Sequence, residues 1–454
     1  MGLFKPSEYN HFIYIEEEDK YLIYNAISNG LAKLEPEIFN RLKEGVKGLE
    51  NLEQDPGKKD LLQRLSAGNI IVDNDFDEID FLRTRFNMGK FSQKTLSLTI
   101  VTTTDCNMAC VYCYQGTQTP AYAGTNIEDS ILKFAEERIK SMGYKGLYIT
   151  WYGGEPLLNK DFIFSLSRKF LKLSKAHDLS YGAMVVTNGT IMNKTIAKKL
   201  KGLKVGRMQI TIDGPQAVHD LRRPIKNSKK SSYKLILENV KRVLGILPVQ
   251  IRINVDKTNF SNTLELLDDF DSCGMLKNNS DLNVYIGYTR EWTTNCKNIS
   301  HNCFSMKEFS VAEIEFQKML IAKGYSLGNL YLSPTSTCVS VSPHGYVIEP
   351  GGEIHKCWSD VGNKEAYLGH VDNPVTLNKK LLKWLSFDPL MQMPECRACK
   401  LFPVCGGGCP YVAIKQGDIL KNDKEYNCTP WKLFMEEKIQ LFLKDKAGQL
   451  KSKI

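Results

Sequence analysis

The chain has 454 residues, 42% hydrophobic and 24% charged, with 60 basic residues against 51 acidic ones and a net charge of +9. This length suits two to four domains, and the basic residues are dispersed, with clusters at 198–204 and 226–230 that read as solvated helix faces, so no nucleic-acid partner is expected. No apolar run approaches the roughly 18 residues of a membrane span. The opening Met1-Gly2-Leu3-Phe4-Lys5-Pro6 has neither the apolar stretch of a signal peptide nor the Ser or Thr of a myristoylation motif, so a cytoplasmic location is expected.

Residues 1–88 contain no Cys. His11–Glu16 and Lys20–Asn25 read as two short strands around an acidic turn, with Leu31–Leu34 as a third. Pro36 opens a helix carrying Ile38, Phe39 and Leu42. A second helix fits Lys58–Ser66 and a closing strand fits Ile70–Val72. Strands followed by helices in so short a stretch predict a small separate α+β module.

From 94 to 290 strands and helices alternate. Strands are expected at Leu96–Val101, Leu147–Trp151, Ala183–Val186, Met208–Ile212, Val249–Val255 and Val284–Tyr288. Helices are expected at Ile127–Met142, Asn159–Ser174, Tyr233–Leu244 and Asn262–Asp271. Six such units imply a parallel sheet, open or partly barrel-shaped, with chemistry in the loops at strand C-termini. After 330 Gly, Pro and Cys rise, and helices shorten until Thr429–Leu443. The run Cys405-Gly-Gly-Gly-Cys409 cannot sit inside a stable helix, and metal ligation, not a large apolar core, is expected to hold this region.

The 13 cysteines, without a secretion signal, point to metal or catalysis and not to disulfides. Cys106, Cys110 and Cys113 lie in one loop after the first strand of the alternating region, spaced C-x3-C-x2-C. Three thiolates so close can hold three corners of a cubane iron–sulfur cluster, which normally takes four Cys. The locally missing fourth leaves one iron open to a small molecule. Gly153-Gly154-Glu155-Pro156 follows the second strand, Thr187-Asn188-Gly189-Thr190 the third, and Gln209-Ile-Thr-Ile-Asp213-Gly214 closes the fourth.

These motifs resemble the radical S-adenosylmethionine superfamily. The resemblance implies that the open iron chelates S-adenosylmethionine, whose reductive cleavage gives a 5′-deoxyadenosyl radical. It implies cofactor contacts from Gly153, Gly154, Glu155 and Pro156 to the methionyl amino group, and from Thr187, Asn188, Gln209 and Asp213 to ribose or carboxylate. Tyr112 would lie beside the adenine, and Arg222 or Arg223 would hold the carboxylate.

A second set is Cys338, Gly352, Cys357, then Cys396-x2-Cys399-x5-Cys405-x3-Cys409, then Cys428. It resembles the seven-Cys SPASM extension of the same superfamily, which implies two auxiliary [4Fe–4S] clusters. One would use Cys396, Cys399, Cys405 and Cys428, the other Cys338, Cys357 and Cys409. The fourth ligand of the latter stays open among Cys296, Cys303, His344 and none. Paired Cys at such spacings also bind zinc, and the upstream motifs argue against that reading.

The expected fold is thus α/β: a partial (β/α)6 TIM-like barrel with a small N-terminal winged-helix-like α+β module and a C-terminal iron–sulfur SPASM domain. The domains are expected at 1–88, 89–310 and 325–445, the first resembling a PqqD-like element that binds a leader peptide as an added strand. The function implied is radical maturation of a ribosomally made precursor peptide by a thioether or other cross-link, with three [4Fe–4S] clusters and a reducing partner such as flavodoxin or ferredoxin. An anaerobic sulfatase maturase is the alternative, but those enzymes place Asp directly after the second SPASM Cys, where this chain has Trp358. A non-catalytic iron–sulfur carrier is the other, and it would not need the Gly153–Pro156 segment.

Overall fold

The computed structural model describes all residues except 1–2, 117, 276–280, 292–293, 326, 328–336, 374, 416–426 and 452–454. Parts of the expected 325–445 domain therefore lie outside the described residues. The chain divides into two compact units, one of residues 1–92, 326–338 and 387–454, the other of 93–325 and 339–386.

In the first unit, β1 (Phe4–Pro6) pairs with β5 (Ile71–Asp73), and β2 (Asn10–Ile15), β3 (Lys20–Asn25) and β4 (Leu31–Leu34) form an antiparallel meander. Helices Pro36–Lys43, Val46–Glu53 and Lys59–Ala67 follow β4. They bury Ile38, Leu42, Leu49 and Leu65 against Ile23 and Ile71, each fully buried side chain being worth roughly 1.5–3 kcal/mol. Helix Glu78–Phe91 is capped by Asp77, whose carboxylate accepts from the Ile79 and Asp80 N–H groups.

Residues 387–405 of this unit are not held by cysteines alone. Leu390, Leu401 and Phe402 join Tyr9, Ile13, Leu22, Tyr24, Met435 and Ile439 in one buried core. The sequence reading expected metal in place of such a core; the apolar partners are supplied by the distant N-terminal strands, which local composition cannot reveal.

The second unit is built on β6 (Thr95–Val101), β7 (Gly146–Tyr152), β8 (Ser180–Thr187), β9 (Val205–Thr211), β10 (Val249–Val255) and β11 (Leu282–Tyr288), all parallel and in sequence order. Alternate residues such as Leu98, Ile149, Val185, Met208, Ile251 and Val284 are buried towards the helices. The partly buried alternates face the other side, where polar Thr99, Thr150, Gln209, Arg252 and Tyr285 gather.

A further three strands extend the same sheet. β12 (Gly345–Ile348) runs parallel to β6, and β13 (Glu353–His355) and β14 (Gly369–His370) continue antiparallel. Residues 339–386, assigned by sequence to a separate C-terminal domain, thus pack with the barrel, where β12 covers the otherwise open edge of β6.

Candidate active site

The loop carrying Cys106, Cys110 and Cys113 leaves the end of β6 and lies against the Gly153–Pro156 segment after β7. A Cβ on Gly153 would stand 2.3 Å from the Thr103 carbonyl oxygen, and one on Gly154 2.3 Å from that of Asp105. Without side chains, backbone meets backbone: the Gly154 N–H donates to the Thr103 carbonyl at 3.0 Å and the Glu155 N–H to that of Asp105 at 2.8 Å. The glycines are what lets the two loops touch.

Glu155 is fully buried. Its carboxylate accepts from the Thr187 hydroxyl at 2.7 Å, the Asn188 N–H at 2.6 Å and the Leu157 N–H at 3.0 Å. Burial pushes its pKa up, and these donors oppose the shift. The side chain therefore clamps the loops after β7 and β8 together. Asn188 continues the link, donating through Nδ2 to Asn107 Oδ1 at 2.8 Å and approaching Cys106 Sγ at 3.8 Å, while Asn107 donates to the Thr190 hydroxyl at 2.8 Å.

On the other flank, the Tyr112 hydroxyl donates to Asp213 and accepts from Arg223 at 2.7 Å and from Asn254 at 3.1 Å. Arg222 donates to Asp256 Oδ2 at 2.8 Å and the Thr258 hydroxyl at 2.9 Å, with Asp213 at 3.6 Å. The two arginines, equivalent on sequence grounds, thus differ: Arg222 is held by buried acids, while Arg223 reaches Tyr112 and electrostatically favours the Cys110 thiolate. His219, which the sequence reading passed over, accepts the Asp213 N–H on Nδ1 at 3.1 Å. Gln209 lies apart from this group, accepting from the Tyr285 hydroxyl at 3.0 Å.

Burial pushes the Cys106 thiol up and Cys110 to about 11, a cost that coordination to a cation reverses. The Met108 N–H approaches Cys106 Sγ at 3.4 Å. Three thiols on one loop with donors aimed at a sulfur fit an iron–sulfur cluster, whose potential such donors tune. Among the described residues no three His, Cys, Asp or Glu side chains are placed to hold one metal ion.

In the other unit, Cys396 lies within electrostatic reach of Cys405, Cys399 and Cys428, and burial, reinforced by these thiols, pushes it to about 12. Gly406, Gly407 and Gly408 have φ of 61°, 88° and 76°, three successive left-handed residues that only glycine adopts freely. Buried Asn427, missed by sequence reasoning, fixes this turn by accepting the Cys409 N–H at 2.9 Å and donating to the Gly407 carbonyl at 2.9 Å. Cys338 and Cys409 belong to the first unit and Cys357 to the second. Of the candidate fourth ligands, the Cys296 thiol faces the Tyr112 carbonyl at 3.7 Å, Cys303 that of Ile299 at 3.4 Å, and His344 Nδ1 meets the Tyr144 hydroxyl at 2.9 Å.

Residues 100–270 match the family model of the Radical SAM superfamily. The radical SAM cyclopropyl synthase TigE of Paramaledivibacter caminithermalis is 21% identical over 468 residues, covering 94% of this chain and 93% of that protein. Uncharacterized protein MJ0907 of Methanocaldococcus jannaschii is 28% identical over 179 residues, and the match takes in 38% of this chain and 56% of that protein. Among solved structures, native anSMEcpe with bound AdoMet superposes with a TM-score of 0.58 at 18% identity, covering 78% of this chain and 99% of that one. Streptococcus suis SuiB bound to precursor peptide SuiA gives a TM-score of 0.53 at 14% identity, covering 91% of this chain and 97% of that one. The structural likenesses speak for the fold, and the matched sequence takes in the cysteine loop and the clamps around it: residues 100–270 are a radical SAM domain, which implies S-adenosylmethionine and a [4Fe–4S] cluster.

Proposed function

We propose that this enzyme is a SPASM-type maturase of a ribosomally made precursor peptide, forming a thioether or another side-chain cross-link. Residues 1–88 bind the leader, 89–310 perform the hydrogen abstraction, and residues within 325–445 hold two auxiliary [4Fe–4S] clusters. The observation that carries the reading is the gathering of Cys396 with Cys399, Cys405 and Cys428 in the same unit as the N-terminal module. A single-cluster enzyme has no use for this second cysteine group. The meander of that module supports leader binding, because β2 and β4 are edges to which an extended peptide adds. The likeness to TigE over nearly the full chain, and to SuiB, solved with its precursor peptide, fits a peptide substrate.

When bound, the reduced cluster and S-adenosylmethionine supply the 5′-deoxyadenosyl radical. The protein's part is to place them. Cys106, Cys110 and Cys113 hold the iron. The Gly153, Gly154, Glu155 and Pro156 segment, with Thr187, Asn188 and Asp213, fixes the surrounding loops. Tyr112 and Arg223 border the nucleoside and carboxylate positions, and Arg222 orients Tyr112 from behind, 5.2 Å from its ring centre. Cys338, Cys357 and Cys409 serve the second auxiliary cluster. Electrons come from a flavodoxin or ferredoxin, and the enzyme works in the cytoplasm. Formylglycine formation is the weaker reading, since Trp358, stacked on Tyr152 at 5.4 Å, stands where those enzymes carry their Asp.

The test is anaerobic reconstitution with iron and sulfide, then incubation with S-adenosylmethionine, reductant and each short peptide found encoded in reading frames neighbouring the gene. About twelve irons per chain are expected from three cubanes, together with a product lighter than the peptide by two hydrogens per cross-link. About four irons, or 5′-deoxyadenosine without any change in peptide mass, would sink the proposal.

A further inference from the structure

The six parallel strands that form the barrel, β6 to β11, contain no Asp or Glu, but they contain two arginines, Arg207 and Arg252. Both fall on the alternates that face away from the helices. Arg207 lies near the strand N-termini and approaches the Met184 sulfur at 4.0 Å. Arg252 lies deeper, two residues before Asn254 on β10. Asn254 in turn donates to the hydroxyl of Tyr112 in the cysteine loop, so Arg252 lies two residues along β10 from a residue that holds that loop.

The guanidinium is oriented by neutral groups. Its Nε donates to Asn254 Oδ1 at 2.7 Å, and Tyr285 is its register partner on β11. Gly287 clears the space it fills, because a Cβ there would stand 2.4 Å from Arg252 Nε. Arg222 nearby meets two carboxylates; Arg252 is in no ion pair among the described residues. A half-buried cation held in place without a counter-charge is a receiver for an anion, and the fork of a guanidinium suits a carboxylate best.

We propose that Arg252 is a carboxylate-binding residue in the barrel lumen, and that it seats an acidic side chain of the peptide substrate near the Asn254–Tyr112 link. This rests on the peptide-maturase reading for its ligand but not for its geometry. The substrate class it selects is a core peptide with Asp or Glu at, or next to, the residue that loses hydrogen. The same chemistry is offered by the methionyl carboxylate of S-adenosylmethionine, and the experiment separates the two.

The reconstituted full chain is titrated, without reductant, with N-acetyl-Gly-Glu-Gly-amide and with the Gln analogue, in the presence of S-adenosylmethionine. Affinities for S-adenosylmethionine and for 5′-methylthioadenosine, which lacks the carboxylate, are measured alongside. The wild type is expected to prefer the Glu probe by about 10-fold. Arg252→Gln should erase that preference with cofactor affinity unchanged, and Arg252→Lys should keep part of it. A roughly 10-fold loss for S-adenosylmethionine but not for 5′-methylthioadenosine in Arg252→Gln would assign Arg252 to the cofactor's carboxylate instead and overturn the substrate claim. Equal binding of the two probes by the wild type, with cofactor affinity unmoved in both variants, would overturn the assignment altogether. Because no turnover is read, a failure of cross-linking and a failure of this assignment are distinguishable.

Discussion

The two cysteine groups hang from different kinds of scaffold. Cys106, Cys110 and Cys113 follow a strand whose Leu98 and Ile100, with Ile149 and Trp151 of the adjacent strand, are fully buried, and their loop is gripped by backbone hydrogen bonds and the Glu155 clamp. Cys396, Cys399 and Cys405 sit on or beside helices of four residues, Pro394–Arg397 and Phe402–Cys405, followed by three left-handed glycines. Helical pieces that short are not stable by themselves. The first site is held by the fold, and iron is needed only for chemistry. On the proposed reading the second needs its ligands to be part of the fold, although the core of Leu390, Leu401 and Phe402 shares that task.

The strongest way to break this contrast is to remove each cysteine group in turn. The triple variant Cys106→Ala, Cys110→Ala, Cys113→Ala should reduce 5′-deoxyadenosine formation to background while the melting temperature of the apoprotein moves by less than about 2 °C. The quadruple Ala variant at 396, 399, 405 and 428 should keep substrate-independent cofactor cleavage but lose protection from proteolysis in residues 387–415. Equal thermal damage from both variants would erase the distinction.

Two single substitutions sharpen it. Gly154→Ala drives a methyl into the Asp105 carbonyl, a backbone atom that cannot swing away, so a loss at the upper end of about 1–3 kcal/mol is expected by urea unfolding, with cofactor cleavage reduced. Asn427→Ala leaves the buried Cys409 N–H and Gly407 carbonyl without their partner, a cost of about 2 kcal/mol. Its iron content should fall while 5′-deoxyadenosine formation persists. If Asn427→Ala removed cofactor cleavage as well, the two sites would not be independent.

The barrel strands were legible because alternation of buried and lumen-facing residues is a local signal. Val249–Val255 matches residue for residue, and the other five strands differ only at their ends. Helices Val46–Glu53, Glu78–Phe91 and Met306–Ala322 were missed; Lys194–Gly202, with four lysines, was legible only as a solvated helix face at 198–204. The pairing of β12 with β6 joins residues almost 250 positions apart, and no local pattern specifies such a partner. The cysteines themselves were plain from spacing. What spacing could not supply was the division of labour between Arg222 and Arg223, which depends on Asp256, Thr258 and Asn254, all more than 30 residues away in sequence. A lone arginine at position 252 in an otherwise uncharged strand was the one available hint of Arg252.

The smallest effect tests the fold-held site by pH. His219 is fully buried against the Asp213 N–H, and burial, with Arg223 adding to it, pushes its pKa down to about 3. The folded protein therefore keeps it neutral while the unfolded chain takes up a proton below its ordinary value of 6.5. Stability from this residue is fully present above that pH and is lost as pH falls, by on the order of 1 kcal/mol per unit between pH 6 and pH 4. His219→Gln keeps an acceptor for the Asp213 N–H but cannot titrate. Urea unfolding of the second unit at pH 7 and pH 5 should show a smaller difference for the variant than for the wild type. An unchanged difference would mean that His219 is not the group whose protonation weakens the fold, and the pH dependence would have to come from elsewhere in the unit.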